Sequence, residues 1–136
     1  MTTIAVIGHP QNGAELTDTQ RAGLASTLRQ LDLLTRKKKM VAVLSSPVEN
    51  AMAYANRFVT HFGLKKVEDC EGLLRDTANG DFSDGCDCLD DYLNSNFGLV
   101  VVVVATSIAL DFACALAKYP AAVGTTVYTY PNPSGV

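Results

Sequence analysis

One histidine stands where a short apolar run gives way to a polar loop. Residues 4–7 form a mostly β-branched run that predicts a buried strand, and Gly8-His9-Pro10 follows it directly. An imidazole titrates near neutral pH, so it can serve as a nucleophile or as a general acid or base. A lone histidine is more often a side chain with satisfied hydrogen bonds and no chemical role. The residues that the fold brings to His9 therefore decide between these interpretations.

Two further segments follow predicted strands in the same way. Ser45-Ser46-Pro47 comes after the apolar run 40–44, and Ala105-Thr106-Ser107 comes after 99–104. In parallel α/β sheets, ligands bind outside the carboxyl ends of the strands, where the next helix begins and its N–H groups attract anions. The side chains expected to line one crevice there are His9, Ser46, Asn50 and Thr106.

Helical patterns separate these strands. Thr17 is a predicted N-cap with Asp18 in the first turn, and leucines at helical spacing continue the helix to Leu34. Pro47 suits a first helical position, and Gly63 is the predicted end of that second helix. The remaining predictions are a loop over 65–85 with a brief extended piece near residue 67, helices over 88–93 and 108–117, and a last strand over 125–130.

The alternation of strands and helices predicts an α/β, three-layer fold with a mostly parallel central sheet. The strand over 99–104 is apolar on both faces, so we expect it at the centre. We expect residues 1–136 to form a single domain.

The charge of the chain bears on whether it binds nucleic acid. Charged residues make up 18% of the chain and the net charge is -3, which argues against nucleic acid as a partner. The basic cluster 36–39 is interpreted as a solvated helix end.

The longest aliphatic run, 99–105, is far shorter than the ~20 residues of a membrane helix. We see no secretory signal and expect a cytoplasmic protein with free thiols at all four cysteines, no metal and no cofactor.

The order of the motifs resembles the histidine phosphatase superfamily, the phosphoglycerate-mutase-like group. Gly8-His9-Pro10 is similar to the family's Arg-His-Gly motif, and residues 16–22 to its Leu-Thr-x-x-Gly-x-x-Gln-Ala helix. Residues 45–55 resemble Ser-Ser-Pro-x-x-Arg-Ala-x-x-Thr-Ala, and 101–107 resemble a run of valines ending in Thr-His-Ser. The likeness spans 4–117, and the short middle is closest to the small phosphohistidine-phosphatase branch.

The resemblance implies site residues, and the departures from it concern charge. His9 occupies the position of the phosphoryl-accepting nucleophile. Two arginines and a second histidine that hold the phosphoryl oxygens in the family are replaced by Gly8, Asn50 and Thr106. Asp76 is the nearest match to the acidic residue that protonates the leaving group. The expected ligand-binding residues are Ser46, Asn50, Thr106 and Ser107.

Phosphoryl transfer depends on compensating charge around the transferred group, so losing three cationic groups together predicts weak catalysis. Our first hypothesis is a catalytically impaired histidine-phosphatase-like protein that acts as a binding or interaction module for a small anionic ligand or a protein partner. The alternative is a phosphatase acting on phosphohistidine or phosphomonoesters through a phosphorylated His9, with Arg75 or a partner subunit supplying charge. A different small-molecule activity in the same crevice remains open, and the sequence does not determine the oligomeric state.

Overall fold

The structure is a computed structural model that describes residues 2–10, 15–34, 40–69, 73, 82–93, 97–119 and 125–130. In this part of the chain the strands are β1 (Thr3–His9), β2 (Met40–Ser45), β3 (Glu68–Asp69), β4 (Phe97–Ala105) and β5 (Thr126–Tyr130). The helices are α1 (Asp18–Leu34), α2 (Glu49–Phe62), α3 (Ser83–Asp87), α4 (Asp90–Leu93) and α5 (Thr106–Lys118). No helix among these described residues is long and apolar enough to cross a membrane.

The sheet is parallel throughout its described pairings. Its strand order is β3-β2-β4-β1-β5, so β4 lies in the middle, between β2 and β1. Every residue from Leu99 to Val104 is fully buried, because helices cover both faces of this strand. The predicted α/β fold with a parallel central sheet is confirmed, and so is the central position of this strand.

Alternate residues of β4 enter two separate hydrophobic cores. Val100, Val102 and Val104 pack in one core with Phe112 and Leu116 of α5. On the other face, Val101 and Val103 share a core with side chains of α1 and α2. This follows from the two-residue period of a strand, whose successive side chains point to opposite faces. The sheet is therefore the middle of three layers.

Two helix ends follow the predicted local chemistry. At the start of α1, the Gln20 N–H donates to Thr17 Oγ1 at 3.2 Å, and the Thr17 N–H donates to Gln20 Oε1 at 2.9 Å. This reciprocal pair is a capping box. At the end of α2, Gly63 is left-handed with φ 68°, and the Leu64 N–H donates to the Val59 carbonyl at 2.9 Å. The predicted cap at Thr17 and the helix end at Gly63 are confirmed.

The start of α2 corrects the predicted position of Pro47. Val48 is the N-cap, with the extended angles φ -65° and ψ 140°, and the helix begins at Glu49. The Met52 N–H bonds to the Val48 carbonyl, which makes that carbonyl the first acceptor of the helix. Pro47 therefore precedes the helix and does not occupy its first turn.

Three other boundaries differ from the sequence predictions. β1 runs through His9, which pairs with Ala105, so this histidine belongs to the strand and not to the loop. Helix α5 starts at Thr106, which places Thr106 and Ser107 in its first turn. The helix predicted over 88–93 is shortened to α4 by a turn at residues 88–89, and α3 begins at Ser83, inside the segment predicted as a loop. The extended piece near residue 67 is β3.

Tyr119, directly after α5, forms hydrogen bonds with the short helices α3 and α4. Its hydroxyl lies 2.8 Å from Oδ1 of both Asp87 and Asp90. These hydrogen bonds to Asp87 and Asp90 raise the pKa of the Tyr119 phenol well above its ordinary value, because ionisation would put a third negative charge among the carboxylates.

Candidate functional site at the strand ends

The carboxyl ends of β1, β4 and β2 lie side by side. His9 pairs with Ala105, and Ser45 pairs with Val103 in the same sheet. The chain leaves β1 towards β2 by way of α1, whereas it leaves β4 in the opposite direction, towards β5, by way of α5. The two helices pack on opposite faces of the sheet. The gap between the ends of β1 and β4 is therefore a topological switch point, where open α/β sheets bind their ligands.

Thr106 packs directly onto the end of β1. Its Oγ1 donates a hydrogen bond to the His9 carbonyl at 2.8 Å. A Cβ added at Gly8 would lie 3.0 Å from Thr106 Cα and 3.0 Å from Thr106 Oγ1. One of these contacts is with the backbone, so rotating a side chain cannot relieve it. Glycine at position 8 thus suits the close approach of α5, and a larger residue there requires Thr106 to move by a few tenths of an ångström.

The ring of His9 is oriented by the next residue. Nδ1 lies 2.8 Å from the Pro10 carbonyl oxygen. A carbonyl can only accept, so we assign the proton to Nδ1. In the neutral ring the lone pair then belongs to Nε2, the nitrogen that would act as nucleophile or base. The orienting carbonyl of Pro10 has no sequence signature, because every residue carries a carbonyl.

The end of β2 is held by hydrogen bonds within the protein. The Ser46 N–H donates to the Val103 carbonyl at 3.0 Å, and Ser45 Oγ donates to the Ser46 carbonyl at 2.8 Å. Both serines are buried, with Ser46 only 3% exposed. Because its N–H is already used, the hydroxyl of Ser46 is the donor that remains for a ligand.

Helices α2 and α5 both begin at this rim of the sheet without a side-chain cap. Their N-cap residues, Val48 and Ala105, have no side-chain oxygen and make no capping hydrogen bond. Half-buried Asn50 lies in the first turn of α2, while Thr106 and exposed Ser107 lie in that of α5. First-turn N–H groups attract anions. Exposed Glu49 in the first turn of α2 opposes that attraction.

The described residues at these strand ends include no lysine or arginine. Arg57 is seven residues beyond Asn50 on α2, about 10 Å along the helix axis, and lines a separate cleft with Ala53, Asn56 and Thr60. The other histidine, His61, is bound to Asp32 of α1 at 2.8 Å. Asp76 and Arg75 fall outside the described residues, so their predicted roles stay predictions.

The structure thus places four of the expected site residues, His9, Ser46, Asn50 and Thr106, at three adjacent strand ends. Ser107 is next to them, in the first turn of α5. Sequence reasoning missed the contact between Gly8 and Thr106. The only signal for it was a glycine where the resembled family has arginine.

The cysteines and possible metal ligands are separate from this rim. Cys86, Cys88 and Cys114 are free thiols, and Cys70 lies outside the described residues. Within the described ranges, no group of three or more His, Cys, Asp or Glu side chains is arranged to hold a metal ion.

The fold is similar to that of a solved enzyme. A crystal structure of phosphoglycerate mutase from Plasmodium falciparum superimposes with a TM-score of 0.56 and 16% sequence identity, over 88% of this chain and 72% of that one. At such low identity the likeness establishes a phosphoglycerate-mutase-like fold. No family model matches the sequence, and no curated protein was found to be similar to it.

Proposed function

We propose that this chain is a histidine-phosphatase-like protein that binds a small anionic ligand at the ends of β1, β2 and β4 and does not hydrolyse phosphate esters. The observation that carries this proposal is the contact between Gly8 and Thr106. At this contact α5 crowds the position from which the resembled superfamily extends an arginine to the phosphoryl group. The other two family cations correspond to Asn50 and Thr106 itself, both neutral.

The absence of the family's two arginines and second histidine should lower the rate of phosphoryl transfer more than the affinity for an anion. In phosphoryl transfer, a single arginine can accelerate the reaction by about 10³–10⁵. The Thr106 hydroxyl already donates to the His9 carbonyl, so the donors for a ligand are the Ser46 and Ser107 hydroxyls and backbone N–H groups. Neutral hydrogen bonds are roughly half as strong as charge-assisted ones. A phosphoryl dianion would lose its water without meeting a cation, which is costly. These donors suit a singly charged ligand better than a dianion, more so with Glu49 at the rim.

A phosphatase acting through His9 is the second candidate. It is favoured by the bond from Nδ1 to the Pro10 carbonyl, which leaves the Nε2 lone pair available for attack. This mechanism requires a cation from outside the described rim, supplied by Arg75 or by a partner subunit.

The two candidates differ in what happens at His9. We expect no acid-labile phosphoryl label on the protein after incubation with phosphomonoesters or a phosphohistidine peptide, and no turnover above that of His9→Ala. His61→Ala is the matched control, because His61 is bound to Asp32 on the helical layer. A label that is lost in His9→Ala and kept in His61→Ala, together with turnover, would establish the phosphatase and make Arg75 the next residue to change.

Binding is tested separately, by titrating the protein with inorganic phosphate at a pH below and a pH above its second ionisation. We expect amide shifts in the first turns of α2 and α5, with tighter binding of the monoanion. Ser46→Ala and Ser107→Ala should weaken this binding. If neither form of phosphate shifts these amides, the binding proposal is wrong.

A further inference from the structure

Strand β5 is the outermost described strand on its side of the sheet. It pairs with β1 in continuous register from Thr126 to Tyr130, and no described strand pairs with its other edge. Edge strands expose N–H and C=O groups that can pair with another chain, and proteins usually block them with charges, proline or bulges. The sequence of β5, TVYTY, contains no charge and no proline, and its register has no bulge. This edge is therefore chemically able to accept another strand.

Apolar surface lies next to the unpaired edge. A groove of about 580 Å³ separates α1 from β5 and is lined by Leu33 and Tyr128, among other residues. Leu33 is 58% exposed and Tyr128 is 41% exposed. The rings of Tyr128 and Tyr130 lie 6.5 Å apart on the same side of the strand. A partner that continued the sheet would also remove this surface from water.

The strand is complementary to a second copy of itself. Tyr128 is the middle residue of β5, so antiparallel pairing about a two-fold axis sets Tyr128 against its own copy. Val127 then faces Thr129, and Thr126 faces Tyr130. Aromatic and β-branched cross-strand pairs are stabilising, whereas like charges directly opposite each other are not. No charge meets its copy here, although the chain as a whole is negative.

We propose that two copies of this chain pair through β5, antiparallel and edge to edge, to form one continuous sheet. The interface is isologous, so each copy contributes the same strand and the same Leu33 and Tyr128 surface. Because the strands of the two copies run in opposite directions, the two candidate sites lie at opposite rims of the joined sheet. The pairing uses the outer side of β5, whereas His9 lies at the carboxyl end of β1. The pairing therefore does not depend on the proposed function.

Sedimentation equilibrium from low micromolar to near-millimolar concentration measures the pairing. We expect the wild-type chain to pass from monomer to dimer in this range. Tyr128→Lys should raise the dimer Kd by about tenfold or more, because two ammonium groups would face each other across the axis. Leu110→Lys is the matched control, since Leu110 is 66% exposed on α5, and it should leave the Kd unchanged.

A charge-swap experiment separates lost pairing from lost folding. Tyr128→Lys and Tyr128→Glu should each be monomeric, and an equal mixture of the two should form a heterodimer that weakens as salt is added. Leu33→Lys on α1 changes the same surface without altering the strand, and should also weaken the wild-type dimer. A wild-type chain that stays monomeric throughout the range overturns the proposal. So does a dimer with an unchanged Kd in both Tyr128→Lys and Leu33→Lys, or a mixture of folded Lys and Glu variants that does not pair.

Discussion

Replacing Gly8 with alanine tests the contact on which the site depends. The added Cβ would lie 3.0 Å from Thr106 Cα, where ordinary contacts begin at 3.4 Å. Adding a methyl group to a filled space costs about 1–3 kcal/mol. Alanine recovers about 0.5–1 kcal/mol relative to glycine within a strand, because the unfolded chain loses less freedom. The net expectation is a loss of up to about 2.5 kcal/mol in the free energy of unfolding.

Urea denaturation measures this loss, and two companion variants identify its cause. Gly63→Ala should also destabilise, by about 1–2 kcal/mol, but through its left-handed φ of 68°, since nothing lies within 4 Å of an added Cβ there. Thr106→Ala should remove the contact with Oγ1 and keep the one with Cα. Combined with Thr106→Ala, Gly8→Ala should therefore cost less than it does alone. Gly63→Ala combined with Thr106→Ala should be additive. A Gly8→Ala protein more stable than the wild type, or one whose cost is unchanged by Thr106→Ala, would refute the argument that α5 crowds position 8.

Three further outcomes follow from the structure. Thr17→Ala should lower the free energy of unfolding by about 1 kcal/mol in urea, because it removes one arm of the capping box at α1. Asn50→Arg should fold, since this position is half-buried, and should tighten phosphate binding by roughly tenfold in the amide-shift titration; unchanged affinity would place Asn50 outside the ligand's reach. The raised pKa of Tyr119 contributes stability that is fully present below the ordinary phenol pKa near 10 and is lost as pH rises above it. Between pH 9 and pH 11, the free energy of unfolding should fall less in Tyr119→Phe than in the wild type, as measured by urea unfolding curves at the two pH values.

Much of the fold follows from local patterns in the sequence. Thr17 and Gly63 act through hydrogen bonds to residues a few positions away, so their roles can be recognised from residue type and spacing. The run 99–104 is apolar at every position, which suits a strand covered on both faces. The order of the polar strand ends, together with the rule for parallel sheets, also predicted which elements meet at the site.

The character of the site was decided by contacts between residues distant in the chain. Thr106 Oγ1 reaches the carbonyl of His9, 97 residues away, and this approach is what crowds a side chain at position 8. The proton on His9 is fixed by the Pro10 carbonyl, a group that no residue type signals. The sequence shows which chemical groups are present at the strand ends, whereas the distances between these groups depend on how tightly α5 packs against β1. The sequence by itself indicated most of the elements and their order, and the tertiary packing decided which groups meet at the strand ends.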